Sequence, residues 1–510
     1  MILFVFLFTL SLAISWAVIR VGIPISHRFD IIDKPGGHKE HDTITPFVGG
    51  LGIFFAFMVG INLLDSTQLN SNIPGACLQA STVFIFLTGF ADDIWHLDYK
   101  IRFLAQILVA VMMATWGGVL LVDLGSLLSN QPFELGMLAL PFTVFATIGV
   151  INALNMIDGL DGLSGSVSFA SLFLIAIVAF MAGEKAYLAL AIVLMGGITG
   201  FLYYNLRWGA RRRAAVFLGD NGSMLLGFLF SWILIDLTQG ESRAMTPVTA
   251  IWILAVPLMD AVGVMIRRLY YRQSPFHPDR NHLHHLLVRA GFRIQDIAHI
   301  IALIQLMFGG VGLIGFYLGA PEAWMLVSFI GIFVVYCYVI ARPWRFVPSL
   351  RTLHSRLGLV SADCRGVFVG YFPASDINRF IKTLVDELQS HYDYDLHVYQ
   401  AAWKNREGDF LYATIELFQE DNDASLSEFK GLVNRLKSQF QDYGRASIRQ
   451  FIKRDHRHDR RASNKPTIKS FRNTDRRSKQ RKALIYRVQS NAGSTKTLVR
   501  LSNQPEISII

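Results

Sequence analysis

Charge is scarce in this chain. Asp, Glu, Lys and Arg supply 17% of the 510 residues, against 52% hydrophobic residues. Soluble domains usually carry about 25% charged residues, so the composition excludes an ordinary soluble enzyme. Cysteine is nearly missing: Cys77, Cys337 and Cys364 are scattered. That excludes a disulfide framework and leaves a thiolate metal site no ligand spacing to rest on. No internal repeat is visible, whereas transporters are often built from paired halves with interrupted helices. The first apolar run, residues 1–19, lacks a basic start and a small-residue cleavage site, so it is expected to be a retained helix.

What remains is long and apolar. Eleven runs lie near residues 1–19, 46–64, 75–91, 103–122, 137–152, 165–182, 186–204, 215–236, 249–266, 299–318 and 323–341. Each approaches the roughly 20 residues that cross a bilayer as a helix. One set of connecting loops holds Arg20, Arg28, Lys34, Lys39, Lys100, Arg102, Arg207, Arg211, Arg212, Arg213, Arg267, Arg268, Arg272 and Arg280. The opposite set holds little beyond Lys185 and Arg243. The positive-inside rule makes the first set cytoplasmic. The expected architecture is a polytopic α-helical membrane protein of about eleven transmembrane helices over residues 1–341.

Beyond Arg342 the chain turns polar and mixed. Residues 366–372, 396–403, 410–418 and 446–452 read as strands, and 375–391 and 426–443 as amphipathic helices. The order βαββαβ predicts a ferredoxin-like α+β domain over 362–454, on the cytoplasmic side. Residues 455–510 form a basic tail expected to be disordered, with a weak strand-like end near 483–501. Its charge suits anionic lipid. Without interleaved aromatics, nucleic acid is not an expected partner.

The polar residues of the apolar part gather at helix ends on the cytoplasmic side. Asp92-Asp93 follows an apolar run. Adjacent carboxylates at a membrane edge repel unless a proton or cation separates them, and magnesium favours oxygen ligands. Asn152, Asn155, Asp158 and Asp161 recur every third residue, a slanted stripe on a helix that offers donors and acceptors to a base, a ribose or a metal. The run Phe217-Leu218-Gly219-Asp220-Asn221-Gly222-Ser223 opens a span. A helix N-terminus accepts phosphate there, and Asp220 is placed to hold a cation. His277, Asp279, Arg280, His282, His284 and His285 share one loop. Without thiolates, phosphate contact is favoured over zinc.

These stretches, DKP with PFVGG, GFADDIWHLDYKIR, NALNMIDGLDGL, FLGDNGS and HPDRNHLHHL, resemble the polyprenyl-phosphate N-acetylhexosamine-1-phosphate transferases in order and spacing over residues 1–341. HLHH preceded by PDR is similar to the N-acetylglucosamine branch. The resemblance implies transfer of a sugar 1-phosphate from a UDP-N-acetylhexosamine to undecaprenyl phosphate, releasing UMP. UDP-N-acetylglucosamine is the expected donor, and O-antigen or a related surface polysaccharide the destination. Another donor, such as a deoxy sugar, is the alternative. It implies magnesium as cofactor, with manganese as a substitute, held by Asp220 and Asp93. Asp92, Asp93, Asp220 and His284 would be catalytic. Lys100, Asn152, Asn155, Asp158, Asp161, Arg280, His282 and His285 would bind substrate. A bacterial inner membrane, contact with its lipids and a possible homo-oligomer complete the expectation. The rival from another class is a membrane sensor or transporter that has lost catalysis, against which the intact acids and His284 argue.

Overall fold

The computed structural model describes residues 1–357 except 30, 34–44, 67–72, 129–130, 208–210, 212, 242, 271, 273 and 275–281. Beyond residue 357 it describes strands alone. The chain divides into two compact units, 1–352 and 353–510.

The first unit is helical. Its elements are α1 (Ile2–Phe29), α2 (Gly49–Ser66), α3 (Gly75–Trp95), α4 (Tyr99–Thr115), α5 (Ala139–Ile157), α6 (Leu163–Ala182), α7 (Lys185–Asn205), α8 (Gly219–Asp236), α9 (Pro247–Ile253), α10 (Ala255–Tyr270), α11 (Leu283–Ala290), α12 (Ile294–Tyr317), α13 (Glu322–Ala341) and α14 (Pro343–Arg356). A two-residue ladder, β1 (Ile32–Asp33) with β2 (Thr45–Pro46), lies between α1 and α2. Every one of the expected apolar runs overlaps a helix or a broken pair, but the run 103–122 continues past α4, which ends at Thr115. Among the described residues, seven helices are long and apolar enough to cross a membrane, or up to eight if the bent pair α9–α10 is one span. The protein is an integral membrane protein.

Helix α8 is the centre of the bundle. Its residues from Asn221 to Ile235 are all buried, as expected of a helix apolar on every side. It packs on α3, α5 and α2. Gly89 on α3 makes the closest approach possible: a Cβ there would lie 2.6 Å from the Asp220 carbonyl. By contrast α13 leaves Val327, Val334 and Val335 exposed, which suits a lipid-facing helix.

Pro257 lies near the start of α10, and the α9–α10 pair bends by 83°. A proline removes a backbone donor and clashes with the preceding turn. The opened backbone is served by a side chain: Gln305 of α12 accepts from Val256 N at 3.0 Å and donates to Ile253 O at 2.5 Å.

In the second unit the strands are β3 (Asp363–Pro373), β4 (Tyr394–Asn405), β5 (Gly408–Glu420), β6 (Ser447–Phe451), β7 (Lys482–Val488), β8 (Leu498–Leu501) and β9 (Ile507–Ser508). They form one antiparallel sheet in the order β6-β3-β5-β4-β7-β8-β9. The expected helices at 375–391 and 426–443, and the basic run 453–481, lie outside the described residues. The end of the tail, expected to be disordered, supplies β7, β8 and β9. Ala483, Leu484, Ile485 and Tyr486 are apolar enough to pair along the edge left by β4.

Candidate active site

Four sequence stretches meet at one end of the helical unit. The turn after β2 docks on the start of α8 through backbone bonds. Phe217 N donates to Pro46 O at 2.9 Å, and Gly49 N and Gly50 N donate to Phe217 O and Leu218 O at 3.0 Å each. The PFVGG and FLGDNGS stretches are therefore one structural device.

Asp93, near the end of α3, caps α8. Its Oδ1 accepts from Asp220 N at 2.8 Å, and its Oδ2 accepts from Asn221 N at 3.0 Å and from the Asn221 side chain. Free amides at a helix start favour an anion. The side-chain amide of Asn221 also donates to Phe47 O at 3.2 Å, so Asn221 joins both halves of the device. Both Asp93 oxygens are thus already engaged by protein donors. The expectation that Asp93 holds a metal meets a carboxylate whose first task is to orient α8.

Asp92 is 3% exposed and accepts from Arg102 Nη1 at 2.9 Å. It also interacts with the side chain of Asp220. Asp220 in turn accepts a short hydrogen bond from Asn155, which donates to Ser223 Oγ at 3.0 Å as well. Two carboxylates facing each other require a proton or a cation between them.

The stripe on α5 splits into separate tasks. Asn155 reaches Asp220. Asn152, one turn earlier, donates to Gln106 Oε1 and Ile148 O at 2.8 Å each, which ties α5 to α4. Asp158 lies just past α5. The protein crowding it, and then the carboxylates of Asp220, Asp93 and Asp161, push its carboxyl well above the usual carboxylate range. Asp161 accepts from Arg207 Nε at 2.7 Å and Ala214 N at 3.0 Å. It holds the segment before α8 in place, so its expected substrate contact has a structural competitor.

The histidines flank the acids. His284 is 2% exposed, and its Nε2 would lie 2.9 Å from a Cβ added at Gly159. That ring therefore rests against the Asp158 loop. Burial and the neighbouring His285 hold its pKa down at about 3, so it is neutral at ordinary pH. Ring centroids are 4.2 Å apart for His284 and His285, and 5.3 Å for His282 and His284. Lys100 is exposed at the start of α4, where Asp98 caps its backbone N–H at 2.9 Å. Among the described residues no ion pair joins it to the acids. Arg280, with His277 and Asp279, lies outside the described residues.

Sequence reasoning gave Asn221, Ser223 and Asp260 no role of their own, and Arg102 only a place among the basic loops. Asn221 and Ser223 stand inside the FLGDNGS run, and Arg102 inside GFADDIWHLDYKIR. Asp260 had a signal of its own: it is the single charged residue in the run 249–266.

Magnesium fits this donor set. Among the described residues no three His, Cys, Asp or Glu side chains form a ready metal cage. Magnesium does not need one, since it commonly takes one or two carboxylates plus water and substrate phosphates. Asp220 and Asp92, oxygen donors whose side chains interact, are the residues that would hold it.

Apolar helices carrying clustered acids and histidines at one end make this a membrane protein with a built polar site. A family model described as "Glycosyl transferase family 4" matches residues 76–238, a stretch that contains Asp92, Asp93, Asn155, Asp158, Asp161 and Asp220. The chain is 34% identical over 334 residues to undecaprenyl-phosphate alpha-N-acetylglucosaminyl 1-phosphate transferase of Escherichia coli (strain K12), covering 65% of this chain and 90% of that relative. Proteins of the same description match from Yersinia pestis, at 35% identity over 70% of this chain and 96% of the relative, and from Haemophilus influenzae, at 36% over 65% and 93%. The chain belongs to glycosyl transferase family 4, and within it to the membrane-bound phosphosugar transferases.

Proposed function

We propose that this protein transfers N-acetylglucosamine 1-phosphate from UDP-N-acetylglucosamine to undecaprenyl phosphate, releasing UMP. In the reaction an oxygen of the lipid phosphate forms a bond to the sugar-bearing phosphorus, and the bond from that phosphorus to UMP breaks. The observation that carries the reading is the convergence of Asp92, Asp220 and Asp158 from three chain segments, beside His284, at one end of an apolar bundle. The relatives' printed names support the lipid acceptor and the sugar.

Phosphoryl transfer needs alignment and charge neutralisation more than covalent help. Bound magnesium would neutralise charge on the donor pyrophosphate. Asp220 and Asp92 are the groups that would hold it. Arg102 keeps Asp92 in place, and Asn155 does the same for Asp220. His282, His284 and His285, with Arg280, would contact phosphate oxygens. Neutral His284 supplies one N–H donor, not a charge. A phosphate monoester has a second pKa of about 6, so the acceptor is largely ionised at neutral pH without a strong base.

The site would then face the cytoplasm at a bacterial inner membrane, a reading supported by the basic loops that border it. The helical unit carries the reaction, with each of the eleven apolar runs of the sequence taken as one span. The order β6-β3-β5-β4 is that of a ferredoxin-like sheet and supports that reading of residues 363–451.

The test is UMP release by the purified full chain with undecaprenyl phosphate, magnesium and a panel of UDP-sugars. Release with UDP-N-acetylglucosamine supports the reading. Release with a different UDP-N-acetylhexosamine alone would keep the chemistry and change the sugar. No release with any donor from folded protein would overturn it in favour of the sensor reading.

A further inference from the structure

Asp260 lies on α10 outside every stretch that suggested a function, and it is 2% exposed. A carboxylate inside an apolar bundle is costly unless it is fully partnered. Here it has three donors from two other elements. His282 Nδ1 lies 2.8 Å from Oδ2, Leu283 N donates to Oδ1 at 2.9 Å, and the Tyr336 hydroxyl donates to Oδ1. An ionised carboxylate only accepts, so the ring hydrogen of His282 sits on Nδ1. Its Nε2 is then the nitrogen left to meet a ligand.

The other contacts extend the same effect. Leu283 is the first residue of α11, so Asp260 also caps the helix that carries His284 and His285. Tyr336 comes from α13, a helix whose neighbouring residues Val334 and Val335 are exposed at 61% and 62%. Tyr336 instead turns inward, 3.1 Å from where a Cβ on Gly263 would be. The rings of His282 and His284 are stacked with an interplanar angle of 8°. Fixing one ring therefore fixes the next.

We infer that Asp260 and Tyr336 are positioning residues for the phosphosugar transfer: they set the tautomer and the orientation of His282, so that Nε2 faces the phosphate oxygens of the donor. The inference rests on the transferase function proposed above. It concerns residues that touch no substrate themselves, and it adds α10 and α13 to the construction of the site.

The test uses the full chain in lipid nanodiscs with UDP-N-acetylglucosamine and undecaprenyl phosphate. Wild-type turnover reports on the transferase reading, while the ratios between variants report on the positioning role. Asp260→Asn keeps the size of the side chain but can turn an NH2 toward Nδ1, which moves the ring hydrogen to Nε2. Its kcat/KM is expected to fall on the order of 10²-fold or more. The double variant Asp260→Asn/His282→Gln should be no worse than His282→Gln alone, because groups acting as one unit are non-additive. Tyr336→Phe removes one of the three donors and leaves the tautomer, so its loss should stay within about 10-fold. Nitrogen-15 spectra of histidine-labelled protein, assigned with His282→Gln, should show Nδ1–H in the wild type and Nε2–H in Asp260→Asn. Losses that multiply in the double variant would overturn the inference. So would a lost activity with the His282 tautomer unchanged.

Discussion

Adjacent aspartates with different partners take different roles. Asp93 spends both oxygens on the N–H groups of α8, whereas Asp92 faces Arg102 and Asp220. Asp93→Asn is expected to misplace Asp220 and lower the thermal midpoint, because an amide nitrogen replaces one acceptor. Asp92→Asn should leave the midpoint nearly unchanged and cut kcat on the order of 10²–10³-fold. Comparing the two variants by differential scanning fluorimetry and UMP release checks the division. The titrating groups add pH predictions. Asp158 has its carboxyl pushed up, so the folded protein holds that proton more tightly than the unfolded chain does. Its contribution to stability falls as pH rises above the ordinary carboxylate range. A cation that relieves the crowding should therefore raise the midpoint more at pH 8 than at pH 5. A magnesium shift that shrinks with pH would contradict this. His284, held neutral down to about pH 3 against an ordinary 6.5, works in the other direction. Its contribution is whole above pH 6.5 and is lost as pH falls from there toward 3. His284→Gln should flatten the fall in midpoint over that window.

At the scale of elements, the close packing of α3 on α8 sets the site. A valine at Gly89 would place its Cβ 2.6 Å from the Asp220 carbonyl, so Gly89→Val should separate the helices. Overpacking of this kind costs about 1–3 kcal/mol, and the expected result is a lower midpoint together with lost turnover. Gly89→Val with full turnover would show that the distance between α3 and α8 is not critical. Much of this level was legible in the sequence. Apolar runs of membrane length marked the helices, and the acids at their ends marked the site, because charge next to lipid is seldom incidental. The division of labour was not legible. A period of three placed Asn152, Asn155, Asp158 and Asp161 on one stripe, but a stripe does not say which side chain meets another helix. Asn152 turned to Gln106, and Asp161 to Arg207. Those pairings depend on α4 and on the segment before α8, 46 residues away in each case. Asp260 was legible in principle, as a lone charge in an apolar run, but its partner Tyr336 lies 76 residues further on.

The whole molecule pairs a helical unit with a sheet-bearing one. About two thirds of this chain matches 90% of the E. coli relative, so about a third of it lies outside that match. The helical unit should therefore suffice for the chemistry. A chain ending at Arg356 is expected to retain UMP release within a few-fold of the full chain when reconstituted in nanodiscs. Loss of turnover in a truncated chain that still folds would mean that the second unit takes part in the reaction. The strand composition of the second unit was readable from alternating apolar residues at 366–372 and 410–418. The strands 482–488, 498–501 and 507–508 were harder to read, because they follow a strongly basic run and are short.

The most direct measurement follows the phosphorus. The full chain is given undecaprenyl phosphate, magnesium and UDP-N-acetylglucosamine labelled on the sugar-bearing phosphate, and lipid and water phases are separated. The account predicts that the label enters the lipid phase as UMP appears, and that Asp220→Asn abolishes both while the protein stays folded. Label left in the water phase as UDP, with sugar alone passing to lipid, would contradict it.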